Sequence, residues 1–451
     1  MTRQDPKSII EDGAMGSAQW LAVLVTLGLN ALDGFDVLSI SFASPGIARD
    51  WGIDKATLGW VLSMELFGMA VGSLLLGGVA DKVGRRPTIL GCLIAMAVGM
   101  FGAAHTHGVA DLLPWRLLTG LGIGGTLAAI NAAAAELSNR RWRSFAIGLM
   151  VIGYPLGGVV GGLFVQKLLI AAGWRTVFLA GGWATATFLP LVWWLVPESV
   201  AFLDRRRGAG ALEQINRILA RLGHPAASAL SALHSAGAER SLGDIFKPAL
   251  LTTTVLVTFG YFAHITSFYI IIKWVPKIVV DMGFAPQAAA GMLTWVSLGG
   301  ATGGALFGLT ATRVGLRPLT ICTLLAGALM IAWFGRGAAD LNALKSTLAI
   351  TGLFTNAGIA GFYLLFAQVF PTHVRATGTG FAIGVGRGGA VLAPILAGYL
   401  LNAGLAVKSV ALIMACGSLV AAVALLALRV RDADSSSAAP REQRSQDFSL
   451  S

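Results

Sequence analysis

The sequence predicts an all-α membrane protein made of twelve transmembrane helices, arranged as two pseudo-symmetric six-helix bundles. Three observations predict it. Apolar runs of about 18 or more residues recur along the whole length, the mark of membrane-spanning helices. Of the 451 residues 55% are hydrophobic and only 12% charged, against roughly 25% charged in soluble proteins. Two stretches of the first half also reappear in the second at nearly one offset.

The runs lie at about 19–44, 57–79, 88–107, 111–134, 144–168, 174–196, 250–273, 288–310, 317–336, 345–368, 376–400 and 406–428. Lipid offers backbone groups no partner, so each run must be helical. The first run is too long and too acidic for a cleavable signal, and "MTRQDPKSIIEDGA" before it is no simple basic leader. The expected division is a segment 1–18, a bundle 19–196, a linker 197–248, a bundle 249–428 and a tail 429–451. In the linker, Leu212, Ile215, Ile218, Leu219 and Leu222 have the spacing of a short amphipathic helix, expected at the membrane surface. The Ser-rich tail is expected to be disordered.

The net charge of +11 is unevenly placed. "DKVGRR" (81–86), "NRRWR" (139–143) and "DRRRG" (204–208) all fall in the loops of one side. That is the positive-inside pattern, so both termini are expected in the cytoplasm and the chain in an inner, plasma membrane. Nucleic acid is therefore not expected as a partner. Cys92, Cys322 and Cys416 lie in separate apolar runs, with no disulfide or metal spacing. No phosphate loop or nucleophile–base constellation is visible, and "GIGG" and "GVGRGG" lack a preceding strand. Neither enzyme activity nor a cofactor is expected.

"GGVADKVGRRP" (77–87) matches "GLTATRVGLRP" (308–318) at an offset of 231, and "ELSNRRWRSFAIG" (136–148) matches "QVFPTHVRATGTG" (368–380) at 232. Gly77 pairs with Gly308, Arg86 with Arg317, Arg143 with Arg375 and Gly148 with Gly380. Duplicated six-helix units joined by a linker are a common build of secondary transporters, with the substrate site between the halves.

The candidate site residues are polar side chains inside apolar runs. Asp33 and Asp36 share a face of the first span, Asp33 roughly 20 Å in from Trp20. A charge there costs at least about 2.5–3.5 kcal/mol and normally serves ion or proton movement. The bland alternative is a fixed helix–helix salt bridge. Arg387, flanked by glycines, suits bidentate carboxylate recognition, or else pairs with a first-span Asp. Arg116 reads as a substrate or gate contact, or as half of a structural pair. Glu65 reads as a coupling acid or a satisfied core acid. His264 falls on Asp33 when the offset of 231 is subtracted. It is therefore a candidate for proton or substrate contact, or a hydrogen-bonded core residue. Tyr261, Phe268 and Tyr269 beside it suit stacking on an aromatic ring, or plain packing.

The "GGVADKVGRRP" loop resembles the signature of the major facilitator superfamily. Arg116 with "LTGLGIGG", and "PESVAFL" after the sixth span, resemble its later motifs. "DGFD" around Asp33 and Asp36, and "VRATGTGFAIGVGRGGA" (374–390), resemble the aromatic acid:proton symporters within it. The resemblance implies alternating access without a cofactor, a small aromatic carboxylate and a proton as cargo, and a functional monomer in the lipid bilayer. It implies proton coupling at Asp33 and Asp36. It also implies a cytoplasmic gate built from Gly77, Asp81, Gly84, Arg85, Arg86, Glu136 and Arg143. In the second copy Thr312 replaces Asp81 and Gln368 replaces Glu136, so its gate is expected to be weaker. Symport of a non-aromatic acid, proton-driven export and a transporter-like receptor are the alternatives.

Overall fold

The computed structural model describes residues 5–208, 210–231, 242–337, 340–371 and 374–428. The tail expected to be disordered lies outside them. Among the described residues there are fifteen α-helices and no strand. A short α1 (Pro6–Asp12) precedes six long helices: α2 (Ser17–Trp51), α3 (Lys55–Val83), α4 (Arg85–Ala104), α5 (Val109–Glu136), α6 (Arg143–Ala172) and α7 (Arg175–Leu195). Two short helices follow, α8 (Val200–Arg206) and α9 (Ala211–Leu222). Six long ones complete the chain: α10 (Pro248–Asp281), α11 (Pro286–Ala311), α12 (Leu316–Phe334), α13 (Leu341–Val369), α14 (Arg375–Asn402) and α15 (Val407–Ala427). All twelve long helices are apolar enough to cross a membrane.

Several helices overrun their apolar runs. α2 continues through Pro45 to Trp51. α10, expected to stop at 273, continues past Lys273 and Pro276 to Asp281. A lysine followed by a proline reads as a boundary in sequence. Here neighbouring helices cover that stretch, leaving Lys273, Trp274 and Val275 fully buried, and packed helices tolerate an internal proline.

Small residues set the packing. In the first half, Gly68 and Gly72 of α3 lie against the Leu117 and Leu121 carbonyls of α5, so close that a Cβ would fall 2.4 and 2.2 Å from those oxygens. In the second half, Gly299 and Gly303 of α11 lie equally tightly against Ala349 and Leu353 of α13. These are the second and fourth spans of each half. Backbone approach through small residues is the usual glue where lipid removes the hydrophobic drive between helices.

α9 forms where the amphipathic pattern placed a helix, but its apolar face does not lie free for lipid. Ile215, Leu219 and Leu222 are buried against protein. The Leu222 carbonyl abuts Gly16, and His224 meets Gln19 Oε1 at 3.1 Å. α1, α8 and α9 thus cap one end of the first half. That end carries Arg85, Arg86, Arg140 and Arg143 and is called the basic end below.

The halves meet through α2, α3 and α6 on one side and α10, α11 and α14 on the other. Ser63 of α3 donates to the Val391 carbonyl of α14 (2.8 Å). Gly59 is seated on Pro394 and Ile395, and Lys55 reaches Asp281 at 3.8 Å. Gly158 and Gly162 of α6 are seated on Ser297 and Thr294 of α11. All these contacts lie toward the end opposite the basic one.

Candidate functional site

Inside the helices, between their middle and the end opposite the basic one, polar side chains from both halves converge. Arg116 of α5 and Glu65 of α3 form an ion pair at 2.5 Å, both side chains fully buried. The guanidinium also donates to Ser39 Oγ at 3.3 Å and the Asp36 carbonyl at 3.4 Å, and it lies over the Phe178 ring. Five donors in a fixed fork allow Arg to satisfy several acceptors at once. Lys273, which sequence reasoning missed, reaches the same Glu65 oxygen at 3.5 Å from α10. Its ammonium donates to the Val37 carbonyl at 2.5 Å.

Asp33 and Asp36 lie beside this cluster with no such satisfaction. They are 2% and 0% exposed, and none of their four carboxylate oxygens has a hydrogen-bond partner. Buried carboxylates are normally paired or protonated. Asp36 has Glu65 and Arg116 as its charged neighbours, and Asp33 has Asp36 and Arg387. The arrangement is that of a fixed ion pair (Glu65–Arg116) beside two free acids.

Arg387 of α14 is half-buried at the seam and donates to the Met69 carbonyl of α3 at 3.0 Å. Tyr269 feels its charge and faces Tyr154 of α6 across the seam. Asp33, Asp36, Glu65, Arg116, Arg387 and Tyr269 are therefore brought together.

His264 is not. Its Nδ1 bonds Ser418 Oγ and its Nε2 bonds the Thr355 carbonyl, both at 2.9 Å, and the ring stacks on Phe362. Both nitrogens are used inside the second half, about 13.5 Å along α10 from Lys273. The repeat arithmetic matched chain position, but α10 turns the histidine toward α13 and α15. Tyr261 packs beside it against Phe362 and Phe366, its hydroxyl 3.2 Å from that of Tyr363. It borders the site through Gly386, next to Arg387, and has Arg387 and Tyr269 among its neighbours. Phe268 is buried and packs edge-on against Tyr269.

At the basic end Arg85 is the hub. It pairs with Asp81 at 2.7 Å and Glu136 at 3.1 Å, and its backbone N–H donates to Glu198 Oε1 at 2.8 Å. α3, α4, α5 and the segment after α7 are tied in one knot. Gly84 permits it: its φ is +118°, and a Cβ there would lie 2.4 Å from Glu198 Oε2. Gly77 meets only Ala128. Two expected members are elsewhere. Arg86 lies over Trp193 and donates to its carbonyl. Arg143 pairs not with Glu136 but with Glu11 of α1, at 2.9 Å. α1 places Glu11 between Arg143 and Arg140, a nearer carboxylate than the one across α5. In the second copy Arg317 donates to the Leu425 and Leu426 carbonyls, and no carboxylate joins it among the described residues.

The hydrogen bond from Arg143 holds the Glu11 carboxyl below its usual 4.5, with partial burial opposing and Arg140 adding to the shift. A carboxyl lowered on docking stabilises the docked form above its free value, and that stabilisation is lost as pH falls through the lowered one. Amide exchange of residues 6–12, corrected for intrinsic rate, is therefore expected to be slow at about pH 6 and fast near pH 3. Glu11→Gln should exchange fast at both.

Comparison with known proteins agrees with this build. The model of the Major Facilitator Superfamily matches the chain over residues 26–290 and again over 257–450. The gallate transporter of Pseudomonas putida is 29% identical over 439 residues, 94% of each chain. The 4-hydroxybenzoate transporter PcaK of Pseudomonas putida is 30% identical over 405 residues, covering 89% of this chain and 90% of its own. Among solved structures, the D-xylose-proton symporter superposes with a TM-score of 0.70 at 18% identity, covering 91% of this chain and 97% of its own. With both halves matched, the twelve spans in two bundles and the arginine-centred knot at the basic end identify the chain as a member of the major facilitator superfamily.

Proposed function

We propose that the protein is a proton-coupled importer of a small aromatic carboxylate, working by alternating access in an inner membrane with the basic end in the cytoplasm. One observation carries the reading: two buried carboxylates without hydrogen-bond partners, Asp33 and Asp36, lie in the first half, Asp33 with Arg387 of the second half as a charged neighbour and Asp36 with Arg116. Acids without partners suit proton uptake and release, and a half-buried guanidinium at the seam suits an anionic cargo. The aromatic part rests on relatives whose names specify gallate and 4-hydroxybenzoate, with Tyr269 as a ring beside Arg387 and Tyr154 facing Tyr269. The side of the membrane rests on the excess of Arg and Lys at the basic end.

Uptake by purified protein in liposomes with an inside-alkaline gradient tests the reading. The panel holds benzoate, 4-hydroxybenzoate, gallate, shikimate and citrate, with protein-free liposomes as the control for permeant acids. Saturable, uncoupler-sensitive accumulation of the aromatic acids above that control is expected. Accumulation of shikimate or citrate alone would overturn the cargo, and accumulation driven by an inside-acidic gradient would overturn the direction.

A further inference from the structure

The seam is charge-asymmetric. The first half carries three buried carboxylates and one guanidinium (Asp33, Asp36, Glu65 and Arg116), while the second presents two cations to it across the seam, Lys273 and Arg387. Both of these cations spend their polar contacts on the other half. Arg387 holds the Met69 carbonyl, and Lys273 holds Glu65 and the Val37 carbonyl. Among the described residues Lys273 has no polar partner on its own half, although it is 0% exposed.

The two contacts of Glu65 are unequal. Arg116 pairs with it within the half at 2.5 Å, and Lys273 reaches it from across the seam at 3.5 Å. The first pair moves as a body when the halves part. The second must break, since α3 and α10 belong to different halves and their contacts lie toward the end that is closed here. Lys273 then loses the Val37 carbonyl as well. An ammonium that loses both partners in the opening seam is left as a free cation that an anionic cargo can meet.

We propose that Lys273 is a specificity-determining cation for the cargo's carboxylate, held by Glu65 while the end opposite the basic one is closed and released to the cargo when that end opens. The assignment rests on the cargo being a carboxylate. It makes the second half the anion-binding face and the first half the proton-binding face. The closing of the cleft around a carboxylate then returns Lys273 toward Glu65.

Two measurements on the purified full-length protein test it. The first is binding of 4-hydroxybenzoate and gallate, each beside its neutral amide, to the unchanged protein, Lys273→Gln and Lys273→Arg. A hydrogen bond to a charged group implies that Lys273→Gln weakens acid binding roughly ten- to a hundredfold. Amide binding should change far less than acid binding, any common shift coming from the altered population of open protein, and Lys273→Arg should keep most of the preference for the acid. An undiminished preference in Lys273→Gln, with the unchanged protein binding the acids, would overturn the assignment alone. Failure of the unchanged protein to prefer either acid over its amide would overturn the cargo reading and the assignment with it. The second measurement is a spin-label distance between Ala172→Cys and Ala403→Cys, at the ends of α6 and α14 away from the basic end, with Cys92, Cys322 and Cys416 replaced. Without ligand, Lys273→Gln should raise the population with that end apart. An unchanged distribution in a protein that still binds the amides would remove the restraint by Glu65.

Discussion

Asp36→Asn is expected to abolish uphill uptake while leaving ligand exchange across the membrane intact. Asp36 is wholly buried and its oxygens have no hydrogen-bond partner. An ionised carboxylate in that position is costly, so it gains by taking a proton or by meeting a cation. Asparagine keeps the size and removes both choices. The carrier should then shuttle between its states without a proton step, so labelled acid exchanges against internal acid but no gradient drives it. Asp33→Asn is expected to act in the same direction. Its electrostatic partner is Arg387 rather than Arg116, so it should also change affinity for the acid. Gradient-driven accumulation measured beside counterflow separates the outcomes. Undiminished accumulation in both variants would end the coupling role of the pair, and loss of counterflow as well would point to a damaged site rather than an uncoupled one.

Arg116→Met is expected to be the most damaging single change to stability. It deletes the 2.5 Å partner of Glu65, leaves only Lys273 at 3.5 Å and strips donors from Ser39 and the Asp36 carbonyl. Breaking one side of a buried pair costs about 3–5 kcal/mol, chiefly because the remaining charge is left without compensation. The double variant Arg116→Met with Glu65→Leu removes that charge and should recover much of the loss. Thermal unfolding in detergent reads both. A double variant as unstable as the single would show that Arg116 acts through its contacts with the Phe178 ring and the Met100 sulfur, to which it donates at 3.2 Å, rather than through Glu65. Transport should fail in both variants, since Asp36 loses its neighbouring cation.

Much of this was legible in the sequence because it depends on period and composition. The twelve spans follow from apolar runs, and the duplication follows from "GGVADKVGRRP" and its copy. Asp33, Asp36, Glu65, Arg116 and Arg387 stand out because ionisable groups are scarce in such runs, and the structure gathers all five. Lys273 escaped because it precedes Trp274 and Pro276, where a span appeared to end. Only the helix's continuation to Asp281 places it in the interior. His264 was drawn in by arithmetic on the repeat. Equal position along two chains does not fix the direction a side chain takes around the helix, and Ser418 and Thr355 were too far away in sequence to be foreseen as its partners. Arg143 was grouped with Glu136 in one gate because the resemblance implies a shared network. Glu11, 132 residues away, is closer in space.

The glycines of the helices that form the seam are used unequally at their two ends. Toward one end Gly59, Gly158 and Gly162 are in tight contact with the opposite half. Toward the basic end Gly148 of α6, Gly304 and Gly308 of α11, and Gly380 and Gly384 of α14 have nothing within 4 Å of where a side chain would start. Glycine inside a helix is worse than alanine by about 1 kcal/mol, and at these positions no close packing offsets it. Gly148 and Gly380 are counterparts in the duplicated units, as are Gly77 and Gly308. Gly77 meets Ala128, but Gly148, Gly308 and Gly380 stand open, as surfaces would that are pressed together in another arrangement of the same chain. The second conformation is thus already inscribed in this one, as vacant footholds whose positions tell where the two bundles will next touch.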